Sequence, residues 1–201
     1  MWQESNFTKH GDIKISDKLK ELVVTHPWEN KHLWNPKFLG FENTQFIYYY
    51  FSELSGTLYK RNYNEQDLAL RSETQYILDY ILTIWPNYRF IKGEIAHCPP
   101  NVKQGMHVDF RVFHRFCHRV HVPITTNTQA HLKVENTKQH LAQGEIWTFN
   151  NLKLHASENL GLTGRAHIIV DIMNPEVYDK FISKYPESYL YETTDKYTIE
   201  L

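Results

Sequence analysis

A histidine and an aspartate two residues apart are the side chains of this sequence that most clearly suggest chemistry. They are His107 and Asp109, in the segment Gly-Met-His-Val-Asp. Residues i and i+2 of a β-strand leave the same face, so an imidazole nitrogen and a carboxylate oxygen would lie side by side. Such a pair is two thirds of the 2-His-1-carboxylate triad that holds non-haem Fe(II). Alone it is weak evidence, because a histidine and an aspartate on a loop often bond only each other or the backbone.

The third ligand should lie some tens of residues downstream, because a jelly roll brings strands distant in sequence to one mouth. His155 is the candidate, since it follows a predicted strand and an Asn-Asn turn. Asn151 and Asn159 flank it and are candidates for orienting its ring, although polar turn residues need no such role.

Arg165 begins an alternating strand ten residues after His155. A guanidinium offers a rigid bidentate fork and keeps its charge, so it could hold the far end of a dicarboxylate. The alternative for Arg165 is a surface salt bridge, which would contribute little to stability.

Arg119 and His121 form a second polar pair at i and i+2. On a strand they would share one face while Val120, Val122 and Ile124 share the other. Burying an arginine and a histidine there without an anion would be unfavourable. A core histidine bonded to the backbone remains the alternative for His121.

These segments follow one another in an order typical of one enzyme family. The sequence resembles the aspartyl/asparaginyl β-hydroxylases, which are Fe(II)- and 2-oxoglutarate-dependent dioxygenases with a double-stranded β-helix fold. The resemblance covers about residues 89–172 and combines several motifs, so it is more specific than any one of them. The motifs are residues 107–109, 119–124, 144–151, His155 and 165–171.

The resemblance implies a set of site residues and co-substrates. Fe(II), 2-oxoglutarate and O2 would be used, with release of succinate and CO2. Arg165 would bind the C5 carboxylate of 2-oxoglutarate. The implied iron ligands are His107, Asp109 and His155, and the further co-substrate contacts are Arg119 and His121.

Asp109 separates this chain from the animal members of the family, which lack the carboxylate ligand. In that respect the chain is more similar to the bacterial members that hydroxylate proline. The resemblance therefore implies hydroxylation of an Asp, Asn or Pro side chain. The substrate would be a free amino acid or a residue of a peptide or protein.

A basic and aromatic segment, residues 111–118, lies between the ligand pair and the Arg119 strand. Within it, Arg115 and His118 are candidates for binding the carboxylate of an amino-acid substrate, and the alternative is a solvated charged loop. A zinc site is disfavoured, because Cys98 and Cys117 form neither a Cys-x2-Cys nor a Cys-x4-Cys motif.

The strands that must position these residues are predicted from period-two patterns, which dominate the chain after Pro86. Short strands that follow one another without intervening helices indicate an antiparallel jelly roll, a mainly β, cupin-like fold with flanking helices. The predicted strands span residues 46–52, 88–97, 119–125, 130–135, 145–149 and 165–172.

Three helices are predicted to flank the sheets. Ser16 should cap a short helix over residues 17–24, and Asn174 with Pro175 should begin a helix that continues over 177–184. Between them, apolar spacing predicts one helix of about 20 residues from Glu65 to Pro86, with Asn64 as its cap.

We expect a single domain, residues 1–201, because no repeat or linker is visible. Residues 1–87 would support a double-stranded β-helix core over 88–172, and 173–201 would form a helix and a tail.

The charge balance bears on possible partners. With 22 basic and 23 acidic residues the net charge is −1, which argues against binding to nucleic acid or to an anionic membrane. We see no secretory signal, no apolar stretch of membrane-spanning length and no disulfide framework, so we expect a cytoplasmic protein. Two rival functions stay open: a same-fold oxygenase acting on nucleic acid, and a non-catalytic cupin-like module that binds metal or ligand.

Overall fold

The computed structural model describes residues 5–28, 45–51, 65–109 and 112–184, and this part of the chain contains ten strands. The strands are β1 (Phe7–Asp12), β2 (Gln45–Phe51), β3 (Arg89–Cys98), β4 (Val102–Lys103), β5 (Cys117–Thr125), β6 (Ala130–Val134), β7 (Thr137–Gln139), β8 (Glu145–Phe149), β9 (His155–Asn159) and β10 (Arg165–Met173).

The strands form two antiparallel sheets. Six of them follow the order β1-β8-β5-β10-β3-β2, and the other four follow β4-β9-β6-β7. Phe149 of the larger sheet packs with Leu132 and Val134 of the smaller one, so apolar side chains fill part of the space between the sheets. The predicted jelly-roll fold is confirmed.

The larger sheet separates an apolar layer from a polar one. On β5, Val120, Val122 and Ile124 are buried against the helices, while Arg119 and His121 point to the other face, as their alternation predicts. The apolar layer is continuous with the helices through Leu19, Val23, Leu70, Ile77, Ile81, Ile95, Ile146, Ile168, Val170 and Ile172.

The helices are α1 (Asp17–Thr25), α2 (Glu65–Glu73), α3 (Gln75–Ile84) and α4 (Pro175–Lys184). Ser16 caps α1, because its Oγ accepts a hydrogen bond of 3.0 Å from the amide of Leu19. Asn174 begins α4 in the same way, accepting from the amide of Glu176 at 2.9 Å. None of the helices in the described part of the chain is long and apolar enough to cross a membrane.

The prediction of one helix from Glu65 to Pro86 was wrong, because the chain breaks between α2 and α3 at Thr74. The Thr74 hydroxyl donates a 2.7 Å hydrogen bond to the carbonyl of Arg71. A side chain that bonds to the preceding turn competes with the helical ladder and often bends it. The proposed cap Asn64 lies outside the described residues, as does the segment 189–201 that follows α4.

The period-two patterns of the sequence did not predict four of the strands, which are β1, β4, β7 and β9. The strand β9 reads His-Ala-Ser-Glu-Asn and has no β-branched residue and no Phe, Tyr or Trp, so it carries no strand signal. Conversely, residues 105–109 do not form a strand, and only His107 makes an isolated antiparallel bridge, to His155.

Candidate metal and co-substrate site

Three side chains chosen from the sequence come together at the bridge between 105–109 and β9. Ligand atoms of His107, Asp109 and His155 all lie within 4.8 Å of one another. The two histidines exchange backbone hydrogen bonds of 2.9 and 2.8 Å, which places their rings 4.3 Å apart. A single antiparallel backbone bridge therefore brings together two histidines that are distant in sequence.

Both imidazoles are oriented by the carbonyl two residues before them. His107 Nδ1 lies 2.9 Å from the carbonyl oxygen of Gly105, and His155 Nδ1 lies 2.9 Å from that of Lys153. A proton on Nδ1 is donated to each carbonyl, so Nε2 carries the lone pair. Burial lowers the pKa of His155 to about 4, so its ring is neutral at neutral pH, as a metal ligand must be.

Asp109 is the anionic member of this group, and its Oδ2 is held on two sides. Arg119 Nη1 donates to it at 2.5 Å and Asn151 Nδ2 at 3.1 Å. Burial alone would raise the pKa of Asp109, but the positive charge of Arg119 holds that pKa well below its usual range. Two imidazoles that each present Nε2, together with one ionised carboxylate, fit a divalent ion such as Fe(II).

Two residues of the site have no role assigned from sequence. Asp171 on β10 faces Arg119 on β5 in register and accepts hydrogen bonds from its Nε at 2.8 Å and its Nη2 at 2.9 Å. His114 Nε2 lies 2.8 Å from the same Nη2. Burial and the charge of Arg119 lower the pKa of His114 to about 3, so its ring is neutral and can accept. Asp171 lies six residues after Arg165 on the same strand, and that spacing is a signal that sequence inspection could have used.

Arg165 lies on the inner face of β10 and is only 3% exposed. The alternative of a surface salt bridge is therefore wrong. In the described residues no carboxylate lies within 4.0 Å of its guanidinium; its Nε and Nη2 face the two ring nitrogens of His167 at 3.0 and 2.9 Å. A neutral imidazole accepts through one nitrogen only, so Arg165 has more donors than this neighbour can satisfy.

His121 lies between the metal-ligand candidates and Arg165. Its ring packs against Phe149 and its Nδ1 lies 3.4 Å from Nδ1 of His167. Burial, followed by the charge of Arg165, lowers the pKa of His121 well below its usual value, so the ring is neutral. Its Nε2 is buried and has no hydrogen-bond partner in the described part of the chain. A buried polar atom of this kind indicates room for a polar ligand.

The donors of Arg119 are directed mainly at protein groups. Four hydrogen bonds connect its guanidinium with Asp109, His114 and Asp171. The geometry thus supports a role in holding Asp109, and it gives the expected co-substrate contact of Arg119 little support.

Neither candidate substrate residue makes a side-chain contact with the metal-ligand group in the described part of the chain. Arg115 ends a short 3-10 helix, Val112–Arg115, and is exposed. His118 points to the face of β5 opposite Arg119, where its ring packs near Trp85 and Tyr88 at centroid distances of 6.4 and 5.8 Å.

Of the two asparagines that flank His155, one belongs to the site. Asn151 bonds Asp109, whereas Asn159 donates to the carbonyls of Cys98, Pro99 and Thr163 and organises a turn. Cys98 and Cys117 are both free and buried.

Solved structures with a similar fold include several prolyl hydroxylases. A prolyl hydroxylase from Trichoplax adhaerens, in complex with a hypoxia inducible factor oxygen degradation domain peptide fragment, is 12% identical, with a TM-score of 0.54 over 88% of this chain and 87% of that one. A prolyl-4-hydroxylase from Pseudomonas putida is 11% identical and has a TM-score of 0.48 over 85% and 94%. The 2-oxoglutarate complex of the collagen prolyl hydroxylase of Paramecium bursaria Chlorella virus-1 is 13% identical, with a TM-score of 0.46 over 84% and 96%. At these identities the likeness concerns the fold.

The family is given by the sequence itself. No match is found among curated proteins. The family model described as Aspartyl/Asparaginyl beta-hydroxylase, in contrast, matches residues 18–175, which is most of the chain and includes every candidate ligand. The chain therefore belongs to the aspartyl/asparaginyl β-hydroxylase family and is a 2-oxoglutarate-dependent hydroxylase that uses Fe(II) and O2.

Proposed function

We propose that this protein hydroxylates an amino-acid side chain at a centre in which His107, Asp109 and His155 hold Fe(II). The observation that carries the proposal is the convergence of these three ligands within 4.8 Å, two of them imidazoles and one an ionised carboxylate. This donor set is the one that non-haem Fe(II) oxygenases use, and it leaves coordination positions for co-substrate and oxygen.

We assign Arg165 to the C5 carboxylate of 2-oxoglutarate. It is a buried cation without an acidic partner among the described residues, and a buried charge is stable only when it is paired. A carboxylate from the co-substrate would supply that pair in bidentate geometry. His121 completes the pocket, because its unpartnered Nε2 can bond a second polar group of the same molecule.

The chain's own residues prepare the site for this chemistry. When bound, Fe(II) with 2-oxoglutarate and O2 supplies the oxidising power: one oxygen atom enters a substrate C–H bond and the other enters succinate, with loss of CO2. Burial keeps His155 and His121 neutral, and Arg119 keeps Asp109 ionised. The inner face of the larger sheet excludes water from Arg165, which strengthens its attraction for an anion.

The substrate class we propose is an Asp, Asn or Pro side chain, in a free amino acid or in a peptide. The family description supports Asp and Asn. The likeness in fold to the Trichoplax hydroxylase, which was solved with a peptide, supports a peptide or an amino acid.

The test is a turnover assay with a substrate panel. Purified protein with Fe(II), 2-oxoglutarate and O2 is given free Asp, Asn or Pro, or short peptides containing them. Succinate and the mass of each candidate are then measured. We expect one class to gain a single oxygen atom in step with succinate formation. His155→Ala should abolish turnover, whereas His131→Ala, on the outer face of β6, should retain it. If no panel member raises succinate above the level of His155→Ala, the proposed substrate class is wrong.

A further inference from the structure

The position of Asp109 depends on contacts outside its own segment. Its backbone amide makes one hydrogen bond, of 3.1 Å, to the carbonyl of Asn151, and it lies outside any strand. Its carboxylate is instead fixed by Arg119 and Asn151, which both donate to Oδ2. The direction in which Asp109 presents its oxygens is therefore set mainly by side chains.

Arg119 is itself fixed by Asp171. The two residues are register partners on adjacent central strands, β5 and β10, and both point to the inner face. Asp171 is 1% exposed and receives two parallel hydrogen bonds from the guanidinium, which is the geometry that best fixes an arginine fork. Because Nε and Nη2 are bound to Asp171, Nη1 is the atom left to meet Asp109.

The combined charge of Asp109, Arg119 and Asp171 also suits a divalent cation. A guanidinium beside Asp109 alone would largely neutralise the carboxylate and would repel an incoming metal ion. Asp171 shares the same guanidinium, so the three side chains together carry a net charge of −1. His114 contributes no charge, because its ring is neutral. The second carboxylate thus keeps Asp109 attractive to the metal while Arg119 still orients it.

We propose that Asp171 is a positioning residue of the metal centre, acting through Arg119 to orient and charge-balance Asp109. This inference rests on the proposed function, because it takes Asp109 as a metal ligand. Asp171 itself does not contact the ligand group; its carboxylate lies 2.8 Å from Arg119 Nε and 3.9 Å from His114 Nε2.

The first test measures binding of Co(II), followed by its visible absorption, to the metal-free protein. Asp171→Asn keeps the volume of the side chain and removes its charge. We expect Co(II) affinity to fall by about 10- to 100-fold, the usual effect of changing a residue that orients a metal ligand. Asp67→Asn, which removes another buried carboxylate, on α2, is the matched control and should leave the affinity unchanged.

The second test asks whether the effect passes through Asp109. In an Asp109→Ala background, Asp171→Asn should cause no further loss of Co(II) affinity, because the ligand that it positions is gone. An equal loss in both backgrounds would mean that Asp171 only maintains the fold, and would overturn the proposal. Thermal unfolding of each metal-free variant shows how much stability it has lost.

A variant of Arg119 keeps the proposal testable if Asp171→Asn does not fold. Arg119→Lys retains the positive charge but has no planar fork that can make two parallel hydrogen bonds to Asp171 and reach Asp109 with a third nitrogen. It should therefore weaken Co(II) binding to a similar extent, again only when Asp109 is present. If wild-type protein does not bind Co(II) at all, the proposed function fails. If wild type binds, Asp109→Ala weakens binding and neither Asp171→Asn nor Arg119→Lys does, only this inference fails.

Discussion

Two buried arginines on the inner face of the larger sheet differ in their surroundings. Arg119 is bracketed by the carboxylates of Asp109 and Asp171, whereas Arg165 faces His167 and has no acid within ion-pair distance among the described residues. Burial lowers the pKa of Arg165, although a guanidinium remains charged under all ordinary conditions. We therefore expect Arg119 to orient side chains of the protein and Arg165 to bind an anionic ligand.

This difference leads to a prediction for Arg165→Lys. Lysine keeps the charge but loses the planar fork, so the apparent KM for 2-oxoglutarate should rise at least about tenfold, equivalent to about 1.4 kcal/mol of binding. The kcat at saturating 2-oxoglutarate should change less. Steady-state kinetics with the co-substrate varied make the measurement, and Arg89→Lys at the exposed start of β3 is the matched control. An unchanged KM would show that Arg165 does not bind 2-oxoglutarate.

At the scale of elements, the turn before β8 depends on a residue without a side chain. Gly144 has φ of +78°, and a Cβ there would lie 2.1 Å from the carbonyl oxygen of Ile13. The Ile13 amide donates to the Gly144 carbonyl at 2.8 Å, so this close approach joins the end of β1 to the start of β8.

Gly144→Ala should therefore destabilise the protein by at least about 1 kcal/mol, because alanine is strained at positive φ and the backbone of Ile13 cannot yield easily. Chemical unfolding of the metal-free protein measures the effect. Leu162→Ala, at a position that is 90% exposed, is the control and should change stability little. An alanine variant as stable as wild type would show that this turn can relax.

The strands that sequence patterns predict well are those whose two faces meet different environments. β5 and β10 alternate between buried aliphatic residues and inward polar ones, and β8 has the predicted bounds. β9 was missed because its inward residues, His155, Ser157 and Asn159, are polar like outward ones. Its strand conformation comes from pairing with β6, which no local pattern encodes.

The residues of the candidate site also divide into those that the sequence predicts and those that depend on strand pairing. His107, Asp109 and His155 could be chosen from residue types, spacing and resemblance, and the fold brings them together. The bonds from Arg119 to Asp171 could not be read from the sequence, because they depend on the register between β5 and β10, 52 residues apart. The alternation of side chains along β5, in contrast, can be read from the sequence. The prediction that His118 binds substrate did not use this alternation, which turns His118 to the helix side.

At the scale of the whole molecule, buried histidines make stability depend on pH. Burial lowers the pKa of His114 to about 3 and those of His155 and His97 to about 4. An unfolded histidine titrates near 6.5, so between about pH 4 and 6.5 the unfolded chain binds more protons than the folded one. Stability must then rise with pH in this window and fall as the solution is acidified.

We expect the unfolding free energy of the metal-free protein to decrease between pH 7 and pH 5. His114 and His155 are both nearly fully buried, and each should contribute up to about 1.4 kcal/mol per pH unit below 6.5. Denaturant unfolding at a series of pH values, with a chelator present, measures the slope. His114→Asn should make the slope shallower, and a flat profile in wild type would contradict the assignment of neutral buried rings.

The central claim is that one site holds Fe(II) through His107, Asp109 and His155 and binds 2-oxoglutarate beside it. The most direct test is the visible absorption spectrum of the protein kept free of oxygen and loaded with Fe(II), before and after 2-oxoglutarate is added. We predict a weak charge-transfer band that requires both Fe(II) and 2-oxoglutarate and is absent in His155→Ala. A folded, iron-loaded wild-type protein that shows no such band would contradict the claim and would favour a module that binds metal without turnover.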